Sequence, residues 1–156
     1  MYNKTFAPPF ARPLYVMLKP VGAVCNLRCS YCYYLEKKDL YPDNVKFTMS
    51  EELLEKFTEE YINSQTTNEI MFAWHGGETL MRNKSFYVKA LELQKKYGRG
   101  RQIDNVIQTN GTLLTDDWCK FFKDNNFLVG ISIDGPPSIV TTFTEEQEIT
   151  ARHSLM

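Results

Sequence analysis

The sequence has almost no net charge and no long apolar run, and each shortage excludes a class of protein. Its 18 basic and 19 acidic side chains leave a net charge of −1, which gives no electrostatic basis for binding nucleic acid or an anionic membrane. No apolar run approaches the roughly 18–20 residues that a membrane-spanning helix needs. Pro8, Pro9 and Pro13 stand where a signal peptide would need an apolar helix, so we expect a cytoplasmic protein.

The sequence has only four cysteines, and its overall composition is that of a globular domain. Apolar residues make up 43% and charged residues 24% of the 156 residues, which allows a sizeable core and argues against disorder. Four cysteines in a reducing compartment favour a metal or catalytic role over a disulfide framework. No repeat and no low-complexity segment precedes residue 137.

Three of the four cysteines stand in one short segment, at Cys25, Cys29 and Cys32, with Tyr31 directly before the last. Three thiols this close cannot all pair as disulfides, because one is always left over. A cubane iron–sulfur cluster held by only three cysteines keeps one iron open to a substrate or cofactor. The spacing therefore predicts an open iron–sulfur centre.

A structural zinc site is the main alternative for these thiols, and inert thiols are another. Zinc takes four ligands, so His75 or Cys119 would have to supply the fourth. Cys119 lies beside Trp118 and three residues before Phe122 in a predicted helix, which favours a small residue buried in the core.

Short apolar runs alternate with helical patterns up to residue 135. The runs predict strands at 14–18, 69–74, 106–109 and 128–133, and the spacing of apolar residues predicts helices at 50–64, 83–97 and from 115 onward. Thr48 and Glu51 are placed as a capping box for the first helix, and Gly98 as the stop of the second. This alternation predicts an α/β fold, part of a barrel with about four parallel βα units.

Polar or glycine-rich residues follow the later strands. In residues 75–78, His-Gly-Gly-Glu, two glycines would let a ligand approach the backbone, and Glu78 could accept from an ammonium group. Asn110 follows the third strand and Ser132 lies in the fourth. Each alone is more often a turn residue or a packed hydroxyl. Because parallel strands end at one edge of a sheet, together they predict one shared site.

The cysteine segment resembles the signature of the radical SAM enzymes, and the residues around it resemble one family, the anaerobic sulfatase-maturating enzymes. The segments that carry this closer resemblance are KPVGAVCNL at 19–27, CYYLEK at 32–37, WHGGE at 74–78, QTNG at 108–111 and ISIDGP at 131–136. The resemblance extends over residues 10 to 136. It implies a radical SAM partial barrel at 14–136, preceded by an N-terminal extension at 1–13.

The resemblance also implies two cofactors and the residues that bind them. Cys25, Cys29 and Cys32 would hold a [4Fe–4S] cluster, and its open iron would chelate the amino and carboxylate groups of S-adenosylmethionine. The other residues assigned to this cofactor are Tyr31 beside the adenine, Gly77 and Glu78 at the amino group, Ser132 near the ribose or methionine end, and Asn110.

By the same resemblance the activity is that of an oxidoreductase. A 5′-deoxyadenosyl radical would take a hydrogen from Cβ of a cysteine or serine in a sulfatase, which becomes Cα-formylglycine. The partners would be the sulfatase polypeptide and a low-potential electron donor such as flavodoxin or ferredoxin. Another peptide-modifying radical SAM enzyme, or a zinc- or cluster-binding fragment without catalysis, is the alternative.

The sequence departs from the family pattern in two respects. Thr79 stands where the family usually has proline, which implies a small local effect. The chain stops at Met156, whereas the family continues into the rest of the barrel and a cysteine-rich domain with auxiliary clusters, and its catalytic acid lies in that later part. We therefore expect a truncated form with unpaired sheet edges and apolar inner faces exposed to water. Such an isolated chain should have marginal solubility and little or no maturation activity.

Residues 137–156 do not follow the family pattern. Threonine and glutamate are frequent where the family has a stretch rich in histidine, aspartate and arginine. Synonymous codons can be chosen so that residues 139–156, read one base earlier, give a family-like sequence, so we hypothesise a frameshift. Sequencing the coding DNA tests this hypothesis, and the absence of a family-like overlapping frame after codon 136 would contradict it.

Overall fold

The computed structural model describes residues 13–37, 40, 48–133 and 135. The strands are β1 Val16–Leu18, β2 Glu69–Trp74, β3 Gln102–Thr109 and β4 Phe127–Ile131. The helices are α1 Glu51–Ser64, α2 Lys84–Gly98 and α3 Asp116–Asp124, with a 3-10 turn at Thr79–Met81. Each strand pairs in parallel with the next one along the chain, in the order β1-β2-β3-β4. This confirms the predicted partial barrel of parallel βα units.

The helices cover one face of the sheet, and the core lies between them. Alternate residues of β2 and β3 point into it, because side chains alternate faces along a strand: they are Ile70, Phe72, Trp74, Asn105, Ile107 and Thr109. Trp74 and Tyr87 pack edge to face with ring centroids 5.5 Å apart. The Asn105 side chain is also buried, and it exchanges two hydrogen bonds with Gln94 while accepting a third from the Trp74 indole.

Helix α1 begins at Glu51 because Ser50 caps it. The Ser50 hydroxyl accepts a hydrogen bond from Leu53 N at 3.2 Å, which satisfies one of the amides left open in the first turn. The capping box predicted with Thr48 is therefore wrong by two residues. Asn83 and Thr115 cap α2 and α3 in the same way.

Strand β3 begins four residues earlier than the apolar run predicts. Three of its first four residues are polar, yet Gln102 to Asn105 continue the register against β2, with Gln102 opposite Glu69. Gln102 and Asp104 are exposed, so their polarity costs no burial. The end of α2 also differs, since Gly98 is its last residue and the left-handed positions are Arg99 and Gly100.

Part of the sequence-based account lies outside the described residues. This holds for most of the predicted N-terminal extension, for residues 137–156, and for Asp134 and Pro136 of the last family-like segment. Among the described residues, no helix is long and apolar enough to cross a membrane.

Candidate functional site

The predicted site residues come together at the carboxyl edge of the sheet. The cysteine segment follows β1, residues 75–78 follow β2, Asn110 follows β3 and Ser132 follows β4. Hydrogen bonds join each of these loops to the next, so that the four loops form one surface.

Backbone hydrogen bonds hold the residues before Cys25 against the glycine pair. Gly77 N donates to Gly22 O at 2.9 Å, and Glu78 N donates to Val24 O at 2.8 Å. A Cβ atom on Gly77 would overlap the Val24 carbonyl, so only glycine fits there. In the structure the glycines thus make room for the protein's own cysteine segment.

Glu78 is fully buried, and both of its carboxylate oxygens accept hydrogen bonds from the protein. Oε1 accepts from Leu80 N at 2.9 Å and from Thr109 Oγ1 at 2.7 Å, and Oε2 accepts from Asn110 N at 2.7 Å. Three donors compensate the burial of this carboxylate. The contact of Glu78 with S-adenosylmethionine stays a prediction. In the structure, its carboxylate connects the loop after β2 to the end of β3 through hydrogen bonds.

The Asn110 side chain reaches across to the cysteine segment. Its Nδ2 lies 3.6 Å from Cys25 Sγ and 3.0 Å from Asn26 Oδ1. Its Oδ1 accepts from Thr112 N at 2.9 Å and from Thr112 Oγ1 at 2.7 Å. The Asn26 amide closes the network by donating to Thr112 Oγ1 at 2.8 Å.

The Cys25 thiol stands in a partly desolvated position with N–H donors around it. Burial raises the pKa of this thiol above its ordinary value, and the charge of Glu78 acts in the same direction. Hydrogen bonds from Leu27 N, 3.3 Å from the sulfur, and from Asn110 lower the pKa, but the net shift is upward.

Three half-buried thiols on one loop have the chemistry of a cluster ligand set. Cys25, Cys29 and Cys32 are reduced, and a turn in which Cys32 N donates to Cys29 O at 2.9 Å joins the last two. This donor set fits a cubane held by three cysteines. Within the residues that the structure describes, no three histidine, cysteine, aspartate or glutamate side chains converge on a single metal ion, whereas the three cysteines of a cubane each bind a different iron.

Cys119 is exposed on α3, so its prediction as a buried core residue is wrong. The buried residues of this helix are Trp118 and Phe122, which lie on the face towards the core. Successive residues of a helix are about 100° apart around its axis, so Cys119 points away from that face. Tyr31, predicted to lie beside the adenine, is also largely exposed.

His75 lies at the end of β2, against the residues that follow the cysteines. Its Nδ1 accepts from Gly76 N at 2.7 Å and lies 3.3 Å from the Tyr34 hydroxyl. Burial lowers the pKa of His75, and the charge of Lys19 lowers it further. The Lys19 ammonium itself lies 4.8 Å from the centre of the Tyr34 ring.

Gln108 belongs to the site, although the sequence analysis gave it no role. Its Nε2 donates to Ser132 Oγ at 2.8 Å, and Ser132 N donates to Thr109 O at 2.9 Å, so β3 and β4 are joined at their ends. A Cβ atom on Gly130 would overlap the Gln108 side chain, so that glycine makes room for it. The sequence contained one indication of this, because side chains alternate between the two faces of a strand and Gln108 lies between two core residues of β3. Its side chain is therefore on the face opposite the core.

A parallel sheet whose carboxyl edge carries three thiols and a glycine pair has these groups where α/β folds place their ligand sites. The chain belongs to the Radical SAM superfamily, whose family model matches residues 20–154. The [4Fe–4S] cluster and S-adenosylmethionine predicted from the sequence are supported by this membership, as is the assignment to a family of oxidoreductases.

Two curated relatives confirm the closer resemblance. A serine-type anaerobic sulfatase-maturating enzyme of Bacteroides thetaiotaomicron is 74% identical over 136 residues, which are 87% of this chain and 33% of the relative. A cysteine-type enzyme of Clostridium perfringens is 40% identical over 130 residues, 81% of this chain and 34% of the relative. The chain therefore spans about a third of the length of the curated relatives it matches.

A solved structure agrees with these relatives. Native anSMEcpe with bound AdoMet and Cp18Cys peptide superposes with a TM-score of 0.72 and 33% identity, covering 88% of this chain and 38% of that one. The fold of the described residues is thus that of the corresponding part of a sulfatase maturase.

Proposed function

We propose that the chain forms the cofactor-binding part of an anaerobic sulfatase-maturating enzyme. Cys25, Cys29 and Cys32 bind the [4Fe–4S] cluster, and S-adenosylmethionine binds at the same edge of the sheet, beside the residues that follow β2, β3 and β4. The observation that carries this proposal is the continuous hydrogen-bonded surface that joins the cysteine segment to the ends of all the other strands.

When bound, the cluster would pass one electron from the external donor to S-adenosylmethionine, and the cleaved cofactor would supply the abstraction of a hydrogen from Cβ of a sulfatase cysteine or serine. The chain's own residues position the ligands. The bonds from Gly77 and Glu78 fix the start of the cysteine segment, and Asn110 fixes Cys25 from the other side.

The substrate in this proposal is a sulfatase polypeptide, and the electron donor is a low-potential protein such as flavodoxin or ferredoxin. The 74% identity to a serine-type enzyme makes a peptide with serine at the target position the first substrate to test. We place the protein in the cytoplasm, because reduced thiols are needed to assemble the cluster.

Cysteine substitution tests the metal assignment. After anaerobic reconstitution with iron and sulfide, we expect about four irons per chain and loss of the cluster in Cys25→Ala, Cys29→Ala and Cys32→Ala. Cys119→Ala, on the exposed face of α3, is the matched control and should keep the cluster. Zinc bound in place of iron, or a cluster retained in all three variants, would contradict the assignment and favour the zinc-binding alternative.

Cleavage of S-adenosylmethionine tests the chemistry. The cluster-loaded chain, incubated with dithionite and the cofactor, should release 5′-deoxyadenosine, which chromatography quantifies. Because the chain spans a third of its relatives' length, conversion of serine and cysteine sulfatase peptides is measured separately, by mass spectrometry. A loaded chain that releases no 5′-deoxyadenosine would contradict the proposed function.

A further inference from the structure

We propose that Asn110 sets the reduction potential of the cluster by donating an N–H···S hydrogen bond to the Cys25 sulfur. This inference rests on the proposed function only in requiring a cluster on Cys25. It gives Asn110 a role in tuning the cluster, in addition to the contact with S-adenosylmethionine that the sequence predicts.

The Asn110 side-chain amide can donate one hydrogen bond to each of two neighbouring acceptors. A side-chain amide has two N–H groups, and those of Asn110 face Cys25 Sγ at 3.6 Å and Asn26 Oδ1 at 3.0 Å. Leu27 N is a second donor to the same sulfur, at 3.3 Å. Asn110 reaches Cys25 from the loop after β3, 85 positions away along the chain.

The surrounding contacts fix which end of the amide faces the sulfur. Both the amide and the hydroxyl of Thr112 donate to Asn110 Oδ1, so the oxygen is held on the side away from Cys25. The buried Glu78 carboxylate accepts from the Asn110 backbone amide and fixes the position of the residue. The donor is therefore preorganised, and a flip of the amide would place its NH₂ group against the Thr112 backbone N–H, which can only donate.

Such a donor acts on the potential because reduction adds negative charge to the cluster and its thiolates. Hydrogen bonds to the sulfurs stabilise that charge, more in the reduced state than in the oxidised state, and so raise the potential. One electron enters and no bond is broken in this step, with dithionite as the electron source in a titration. Removing the donor should make the cluster harder to reduce.

A redox titration of the reconstituted full chain without S-adenosylmethionine tests the proposal. We expect the midpoint potential of Asn110→Ala to be lower than that of the wild type, and that of Asn63→Ala, an exposed position on α1, to be unchanged. An Asn110→Ala cluster with the wild-type potential would overturn the proposal. If Asn110 had only a structural role, Asn110→Ala would change the yield of the cluster and leave its midpoint potential unchanged.

A second measurement does not depend on the folding of Asn110→Ala. In protein labelled with ¹⁵N only at asparagine side-chain amides, pulsed EPR of the reduced cluster should show a ¹⁵N coupling that persists in Asn26→Asp. Absence of the coupling, or its loss in Asn26→Asp, would overturn the proposal. A wild-type chain that binds no cluster would refute the proposed function as well, so failure of the two proposals can be told apart.

Discussion

Gly77 is the residue at which the site is most sensitive to volume. A methyl group there would overlap the carbonyl of Val24 and push the cysteine segment away from β2. We expect Gly77→Ala to lose about 1–3 kcal/mol in the free energy of unfolding and to assemble little cluster. Denaturant unfolding and iron analysis measure both effects.

Gly98→Ala is the matched control for that change. Its Cβ would lie 3.0 Å from the end of the flexible Ile103 side chain, and alanine favours a helix over glycine. The control should therefore be close to neutral, and equal effects of Gly77→Ala and Gly98→Ala would show that the glycine pair has no special steric role.

Glu78 connects two loops through a buried carboxylate. In Glu78→Gln the amide oxygen can replace only one carboxylate oxygen, and the NH₂ group then faces a donor such as Asn110 N. We expect a loss of about 1–3 kcal/mol, the cost of a buried donor left without an acceptor. Thermal unfolding compared with Glu69→Gln, an exposed control, measures this, and equal melting temperatures would contradict it.

His75 makes stability depend on pH. Its pKa in the folded protein lies below the ordinary 6.5, so the unfolded chain takes up the proton first as the pH falls. The free energy of unfolding therefore has its full value above pH 6.5 and decreases as the pH falls from 6.5 towards the pKa of the folded protein. An NMR titration of the imidazole should give a pKa below 6.5 that rises in Lys19→Gln, with His153→Gln used for assignment. A pKa at or above 6.5 in the wild type would contradict the account.

At the scale of the element, helix α1 begins at a capping residue other than the one predicted from the sequence. The Ser50 hydroxyl makes the capping bond to Leu53 N, and Thr48 lies two residues before it. We expect Ser50→Ala to cost about 1 kcal/mol and Thr48→Ala to be nearly neutral. Thermal unfolding of both variants checks this, and a larger loss in Thr48→Ala would restore the predicted capping box.

The elements were largely predictable from sequence, and the misplaced start of β3 has a physical cause. Strand β2 is found at the predicted residues, because its apolar run coincides with its pairing to both neighbours. Strand β3 was predicted too short, because Gln102 and Asp104 pair along the backbone while their side chains are exposed. The periodicity of apolar residues indicates which residues of a strand are buried. At the start of β3 the backbone pairing with β2 extends beyond the buried residues, so the apolar pattern underestimates the length of the strand.

The cysteine motif was predictable because it is local in sequence, whereas the contacts that support it are not. Glu78 meets Asn110 over 32 positions, and Asn110 meets Cys25 over 85. No spacing rule indicates such contacts. The sequence analysis therefore assigned Glu78 to a ligand and gave Gln108 no role, since only the folded sheet shows what each side chain meets.

At the scale of the whole molecule, four consecutive parallel βα units bring the thiols, the glycine pair and the strand ends to one edge. This arrangement accounts for the similarity to a third of a sulfatase maturase, since the matched third contains all of these segments. We propose that this edge holds a cluster with an iron open to S-adenosylmethionine.

EPR of the anaerobically reconstituted and reduced chain, recorded with and without S-adenosylmethionine, tests that claim most directly. We predict a [4Fe–4S]⁺ signal whose g-values change when the cofactor is added, because the cofactor binds the open iron. A cluster signal that is identical in both samples would contradict it.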